Sequence, residues 1–295
     1  MAVTTLTASR SRVAAYVALT KPRIIELLLV TTVPVMFVAE RGVPDLGLVV
    51  ATVLGGSLAA GGANAVNMVV DRDIDALMER TRNRPLVTGE LTPRSALVFA
   101  VGLEVAAFVL LWTAVNLLSA VLAVAACLFY VFVYTLWLKR TSSQNIVIGG
   151  AAGAVPTLIG WTAVTGELAW APVVLFGVIF FWTPPHFWAL AIRYREDYSA
   201  ASVPMLPSVA SDETVGRQIV AYAVVVWALS VLFAPIADMG PLYTVGAVFL
   251  GGLFTLQSAR LKADPTPERA MGLFRFSITY VSVLFALMAV DALVA

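Results

Sequence analysis

Apolar residues gather in nine long runs separated by polar stretches: Ile24 to Ala39, Gly47 to Val70, Ser95 to Val115, Leu117 to Leu138, Ile146 to Thr165, Leu168 to Ile192, Gln218 to Ala237, Leu242 to Ala259 and Met271 to Val294. Crossing about 30 Å of hydrocarbon takes roughly 20 helical residues, and the runs approach or reach that length. Hydrocarbon offers no partner to a free N–H or C=O, so each run is predicted to be a helix that satisfies its backbone internally. The expected fold class is all-α: a polytopic membrane protein with nine transmembrane helices.

The polar stretches alternate in charge. With the N-terminus cytoplasmic, every Lys and Arg except Arg41 falls inside, in Arg10 to Arg23, Arg72 to Arg94, Lys139 and Arg140, Arg193 to Arg217, and Arg260 to Arg275. Cytoplasmic loops carry such an excess, and one misplaced span would scramble it, so the C-terminus is expected outside. Outer connections such as Val115 to Leu117 are short, which predicts antiparallel neighbours. Two inner connections, about 71–94 and 193–217, are long and rich in charge and proline, as functional loops are. Residues 1–23 read as a polar cytoplasmic segment, and 24–295 as one transmembrane domain.

Composition agrees: 60% of residues are apolar and 13% charged, and mean hydropathy is +0.90, which excludes an ordinary soluble domain. A net charge of +1 provides no general field for nucleic acid, so no such partner is expected. The single cysteine, Cys127, excludes an intrachain disulfide and a cysteine metal cluster. No long Arg- and Ser-rich presequence precedes the first run, which favours a bacterial inner membrane over an organelle.

Candidate chemistry begins where the second run ends, at Asn67-Met-Val-Val-Asp71-Arg72-Asp73-Ile-Asp75. Steps of four place Asn67, Asp71 and Asp75 on one helical face. Carboxylates stacked near lipid repel one another and call for a cation. Magnesium suits them, because it takes one or two protein carboxylates, keeps water and accepts substrate phosphate oxygens. A diphosphate fits, with Arg72, Arg80, Arg82 and Arg84 available to its outer oxygens. The plainer alternative is a solvated helix end whose aspartates pair with these arginines. Asn67 favours the metal site, since an amide at membrane depth needs a reason.

The ladder, continued by Arg80-Thr-x-x-Arg84-Pro85, resembles the first aspartate-rich motif of the UbiA-type intramembrane prenyltransferases. The resemblance covers most of the chain. It implies a nine-helix UbiA-type bundle with cytoplasmic catalytic loops, magnesium, and the diphosphate of an isoprenoid donor held by the first motif. Most members carry a second aspartate-rich motif after the sixth helix. Here that stretch reads Trp182-Thr-Pro-Pro-His186-Phe187-Trp188, then Arg193-Tyr-Arg195-Glu196-Asp197-Tyr198 and Val203-Pro-Met-Leu-Pro207. This version is similar to the branch that farnesylates protohaem IX, as are Thr20-Lys-Pro-Arg-Ile24 and the run from Asn145 to Pro156.

For that branch the resemblance implies farnesyl diphosphate as donor and haem B as acceptor. An allylic cation forms, a haem vinyl group attacks it, and water capture gives haem O. A haem A synthase or oxidase-assembly partner would receive the product. His186, the only histidine, is a candidate for axial or edge contact with the porphyrin, or else a structural hydrogen bonder. Trp182, Phe187 and Trp188 are candidates for stacking on the macrocycle, or for ordinary interfacial aromatics. Arg193, Arg195, Asp197 and Tyr198 would complete the donor or propionate site. Lys139 and Arg140 form a third inner patch, toward the diphosphate or as topology signals. A prenyltransferase for quinone-type acceptors is a competing reading, disfavoured by the altered second motif. A transporter is another, disfavoured because Asp71 and Asp75 lie at one membrane edge.

Overall fold

A computed structural model describes residues 11–294. Arg10, counted above among the inside charges, lies outside the described residues. Fifteen helical segments follow one another, with no strand among the described residues. Short helices α1 (Arg12–Thr20) and α4 (Arg72–Leu77) flank the first two spans, α2 (Pro22–Glu40) and α3 (Leu46–Val70). Then come α5 (Pro93–Ala114) and a composite fourth span: α6 (Leu117–Leu128), a π-helix over Phe129–Leu138, and α7 (Lys139–Thr141). The later spans are α8 (Asn145–Thr165), α9 (Trp170–Arg193), α12 (Asp212–Ile236), α13 (Pro241–Ala263) and α14 (Pro267–Val294), with α10 (Arg195–Ala200) and α11 (Leu206–Val209) between α9 and α12.

Nine helices among the described residues are long and apolar enough to cross a membrane, in the nine places expected. Their ends differ by a few residues from the apolar runs, because capping rather than hydropathy sets an end. The seventh span begins at Asp212 instead of Gln218, since Ser211 accepts from the N–H of Thr214 at 3.3 Å and two acids occupy the first turn. The second long loop is correspondingly shorter and largely helical. The polar leader also contains more structure than expected. Ser11 caps α1 at Ala14, and Ala15 and Leu19 bury themselves against α3.

Each span packs on the next around the bundle, and α14 returns to α2, closing a ring. Cross-contacts of α2 with α8 and of α9 with α14 fill its middle. The outward surface is apolar, with Trp112, Phe132, Trp137 and Phe249 exposed. In water this would be a large sticky patch; in lipid it is a solvated face. Small residues permit the close packing. A Cβ at Gly62 would stand 3.0 Å from the carbonyl of Ala100 in α5, and one at Gly150 2.9 Å from Cβ of Thr183 in α9. These glycines therefore serve helix approach.

Several polar groups between α12, α13 and α14 are paired. Ser230 meets the Tyr280 hydroxyl at 2.6 Å, and Tyr243 donates to the Ser230 carbonyl at 2.8 Å. Buried Asp291 of α14 accepts from the N–H of Gly240 and, at 2.9 Å, of Tyr243. It thereby closes the positive end of α13.

Candidate active site

The helical face predicted at the end of the second span exists. Asn67, Asp71 and Asp75 are 3%, 0% and 2% exposed. α3 stops at Val70, but the Asp75 N–H still reaches the Asp71 carbonyl at 2.8 Å, so the face continues into α4. Asp73 points the other way and is exposed at 62%. There it takes both ends of the Arg140 guanidinium at 2.8 Å. That forked bond, with smaller backbone help, holds its carboxyl down at about 2.

Cations from three parts of the chain converge on the buried face. Lys139 pairs with Asp71 Oδ2, which also accepts from Asn67 Nδ2 at 2.7 Å. Arg84 reaches Asp75 Oδ2 at 2.6 Å. Thr81 makes this possible by donating to the Asp75 carbonyl at 3.0 Å, folding the loop back over α4. Lys21 donates to Asn67 Oδ1 at 2.7 Å. Burial pushes the Lys21 ammonium well below the ordinary lysine range, with Arg84 and Lys139 adding to the effect and the aspartates opposing it. The second amide hydrogen of Asn67 goes to Thr135 Oγ1 at 3.1 Å. Asn67 is thus saturated, and it ties the elbow between α1 and α2 to the fourth span.

The paired-aspartate alternative is partly realised, but it leaves a remainder. Asp71 Oδ1 is buried and accepts no hydrogen bond from a described residue; the Arg140 guanidinium stands 3.7 Å away. An orphaned carboxylate oxygen is costly in a low-dielectric site, and a hard cation would satisfy it. No group of three His, Cys, Asp or Glu among the described residues forms a metal cage. That suits magnesium, which needs one or two carboxylates when substrate phosphate and water supply the rest. Asp71 and Asp75 fit it.

Other expected residues are placed as follows. Arg72 is exposed and pairs with no carboxylate of the ladder among the described residues. Arg80 lies over the Tyr194 ring at 5.9 Å, joining the two inner loops. Burial raises the Tyr198 phenol above its ordinary range, so the hydroxyl stays protonated. Arg193 and Arg195 line a cavity of about 560 Å³ with Glu79, Arg80, Asp197 and Asp212. Arg195 pairs there with Asp212, while Asp197 Oδ2 is buried without a partner among the described residues.

His186 sits deeper, between α9 and α14. Its ring is sandwiched by Trp182 at 4.3 Å and Phe274 at 4.5 Å, and Nδ1 meets Ser277 Oγ at 2.7 Å. Trp182 donates to the Ser277 carbonyl at 2.9 Å. Trp188 is fully buried on the opposite side, edge-on to Tyr222 of α12. The structure therefore gathers Asn67, Asp71, Asp75, Arg84 and Lys139 into one cluster, and separates Arg72 and Trp188 from it. Lys21 belongs to the cluster and was absent from the expected set. Its motif, Thr20-Lys-Pro-Arg, was the available signal.

The profile of the UbiA prenyltransferase family matches residues 28–283. The protoheme IX farnesyltransferase of Streptomyces coelicolor is 56% identical over 287 residues, covering 95% of this chain and 91% of that protein. In fold, digeranylgeranylglyceryl phosphate synthase superposes with a TM-score of 0.79 at 18% identity, over 95% of this chain and 98% of that one. A UbiA homolog from Archaeoglobus fulgidus, bound to GPP and Mg2+, gives a TM-score of 0.68 at 17% identity, over 93% and 99%.

Proposed function

Since the chain belongs to the UbiA prenyltransferase family, we propose that it transfers a farnesyl group from farnesyl diphosphate to a vinyl group of haem B, with water addition, giving haem O and diphosphate. The observation that carries the reading is the buried Asp71 carboxylate, with one oxygen saturated and the other free, amid Lys21, Arg84 and Lys139. Asp71 and Asp75 would hold magnesium, which when bound supplies positive charge to the diphosphate oxygens.

Around it, Lys139, Arg84 and Lys21 draw charge onto the leaving group as the allylic C–O bond breaks and its electron pair passes to diphosphate. The vinyl π electrons then form the new C–C bond, and water captures the adjacent centre and loses a proton. The tight ring of helices keeps water from the cation until the vinyl adds. On the acceptor side, His186 and Trp182 contact an edge of the porphyrin, and Arg195 a propionate. The two inner loops meet through Arg80, so donor and acceptor sites adjoin at one membrane face. We assign that face to the cytoplasm of a bacterial inner membrane, with the C-terminus outside.

The test is incubation of purified protein with haem B, farnesyl diphosphate and magnesium, followed by mass analysis of the haem. A hydroxyethylfarnesyl increment is expected. Unmodified haem alongside a farnesylated quinone precursor would overturn the reading.

A further inference from the structure

One turn of α14 holds the imidazole of His186 against α9. The α9 side supplies Trp182, His186 and Phe187, and the α14 side Phe274 and Ser277. Trp182 and Phe274 lie nearly parallel to the two faces of the imidazole, at 19° and 24°, and Phe187 meets it edge-on at 5.0 Å. Ser277 anchors this stack twice. Its carbonyl accepts from Trp182 Nε1, and its hydroxyl meets His186 Nδ1.

A ring nitrogen and a hydroxyl in contact share one proton, which belongs to one or the other. The second bond of Ser277 decides which. Its Oγ lies 2.7 Å from the carbonyl oxygen of Phe274, which can only accept, so the single serine proton is used there. A bare Nδ1 would then set its lone pair against those of Oγ at 2.7 Å. Nδ1 therefore carries the hydrogen and donates it to Oγ, and Nε2 is left with a free lone pair. That nitrogen has no hydrogen-bond partner among the described residues, and the side chain is not fully closed off, at 5% exposed.

We propose that His186 Nε2 is the proton acceptor for the water that captures the farnesylated vinyl centre, and that Ser277 is the positioning residue that keeps this nitrogen bare. The proposal rests on the haem reading above, in which His186 touches the porphyrin edge. Bonding of the farnesyl carbon to the vinyl CH2 leaves a cation on the carbon next to the macrocycle. Water gives that carbon an electron pair, and the oxonium so formed passes a proton to the Nε2 lone pair. A neutral alcohol and an imidazolium with a proton on each nitrogen result. Trp182 and Phe274 present the negative faces of their rings to that imidazolium, which returns its proton to solvent before the next turnover. Without the acceptor, the oxonium expels its water again. The cation then loses a proton from the neighbouring CH2 to the released diphosphate, giving an alkene lighter by one water.

His186 is the only histidine of the chain, so isotope-labelled histidine in protein without a histidine tag gives the nitrogen NMR signals of one imidazole. Haem-free wild-type protein should show hydrogen on Nδ1 and none on Nε2, and Ser277→Ala should lose that preference. His186→Asn keeps a donor toward Ser277 and has no lone pair in the place of Nε2. At saturating haem, the ratio of dehydrated to hydrated product, read by mass, should rise at least about tenfold in both variants. Diphosphate release should stay within about threefold of wild type, because C–O cleavage precedes the step. Hydrogen on Nε2 in the wild type, or an unchanged product ratio in both variants, overturns the proposal. So does an axial-nitrogen signature of bound ferric haem that is lost in His186→Asn, which gives the lone pair to iron. Wild-type protein that leaves haem unmodified overturns the acceptor reading, while the tautomer read in haem-free protein still judges Ser277 on its own.

Discussion

Replacing Asn67 by Leu keeps the volume of the side chain and removes all its polar contacts. Three hydrogen bonds disappear: from Lys21 at 2.7 Å, to Asp71 at 2.7 Å and to Thr135 at 3.1 Å. Two involve a charged partner, at about 1.5–3 kcal/mol each, and one is neutral, at about 1 kcal/mol, so the network loses roughly 4–7 kcal/mol. The groups left behind are themselves buried, which places the effect toward the upper end. Part of this loss falls equally on resting enzyme and transition state, and only the remainder slows the reaction. Since each 1.36 kcal/mol is tenfold, a drop of at least about 100-fold in kcat/KM for farnesyl transfer is expected. The assay is steady-state haem O formation in detergent or liposomes, with protein quantified in the membrane fraction. A loss under about threefold in well-inserted protein would refute the claim that Asn67 organises Lys21 and Asp71.

Four further outcomes follow from the same geometry. Asp71→Ala and Asp75→Ala should abolish turnover, by at least about 1,000-fold, while the protein still reaches the membrane; full activity in either, assayed with farnesyl diphosphate, would remove that residue from the donor site. Chelation with EDTA should stop farnesyl transfer and added magnesium restore it, and turnover that survives exhaustive chelation would exclude the metal from Asp71 and Asp75. His186→Ala should weaken haem binding, titrated by the Soret band, at least about tenfold and leave thiodiphosphate binding unchanged; an unaltered haem titration would confine His186 to its stack with Trp182 and Phe274. Asp291→Ala should cost about 1–3 kcal/mol of stability, measured by thermal inactivation, with initial turnover intact, because it uncaps Gly240 and Tyr243 far from the chemistry.

The spans were legible because lipid imposes one rule on every crossing segment, and hydropathy records it directly. The ladder was legible because Asn67, Asp71 and Asp75 lie within one stretch of helix, where a spacing of four has a single meaning. What hydropathy does not carry is partnership across distance. Lys21 meets Asn67 from 46 positions away, and Lys139 meets Asp71 from 68, through the packing of other elements on α3 rather than through any local pattern. α1 escaped notice because its nine residues are too short to register as a span and its flanks are charged.

Lys21 adopts a left-handed backbone conformation at φ 52°, turning the chain between α1 and α2, while its ammonium rests on Asn67. One residue is therefore both the pivot of a surface helix and a support of the reaction centre. A tag, an antibody fragment or a proteolytic cut that tugs on α1 acts on the enzyme through a short lever, although nothing attached there comes near the substrate. Handles for purification or imaging belong at the far end of the chain, beyond α14, where strain has no such route inward.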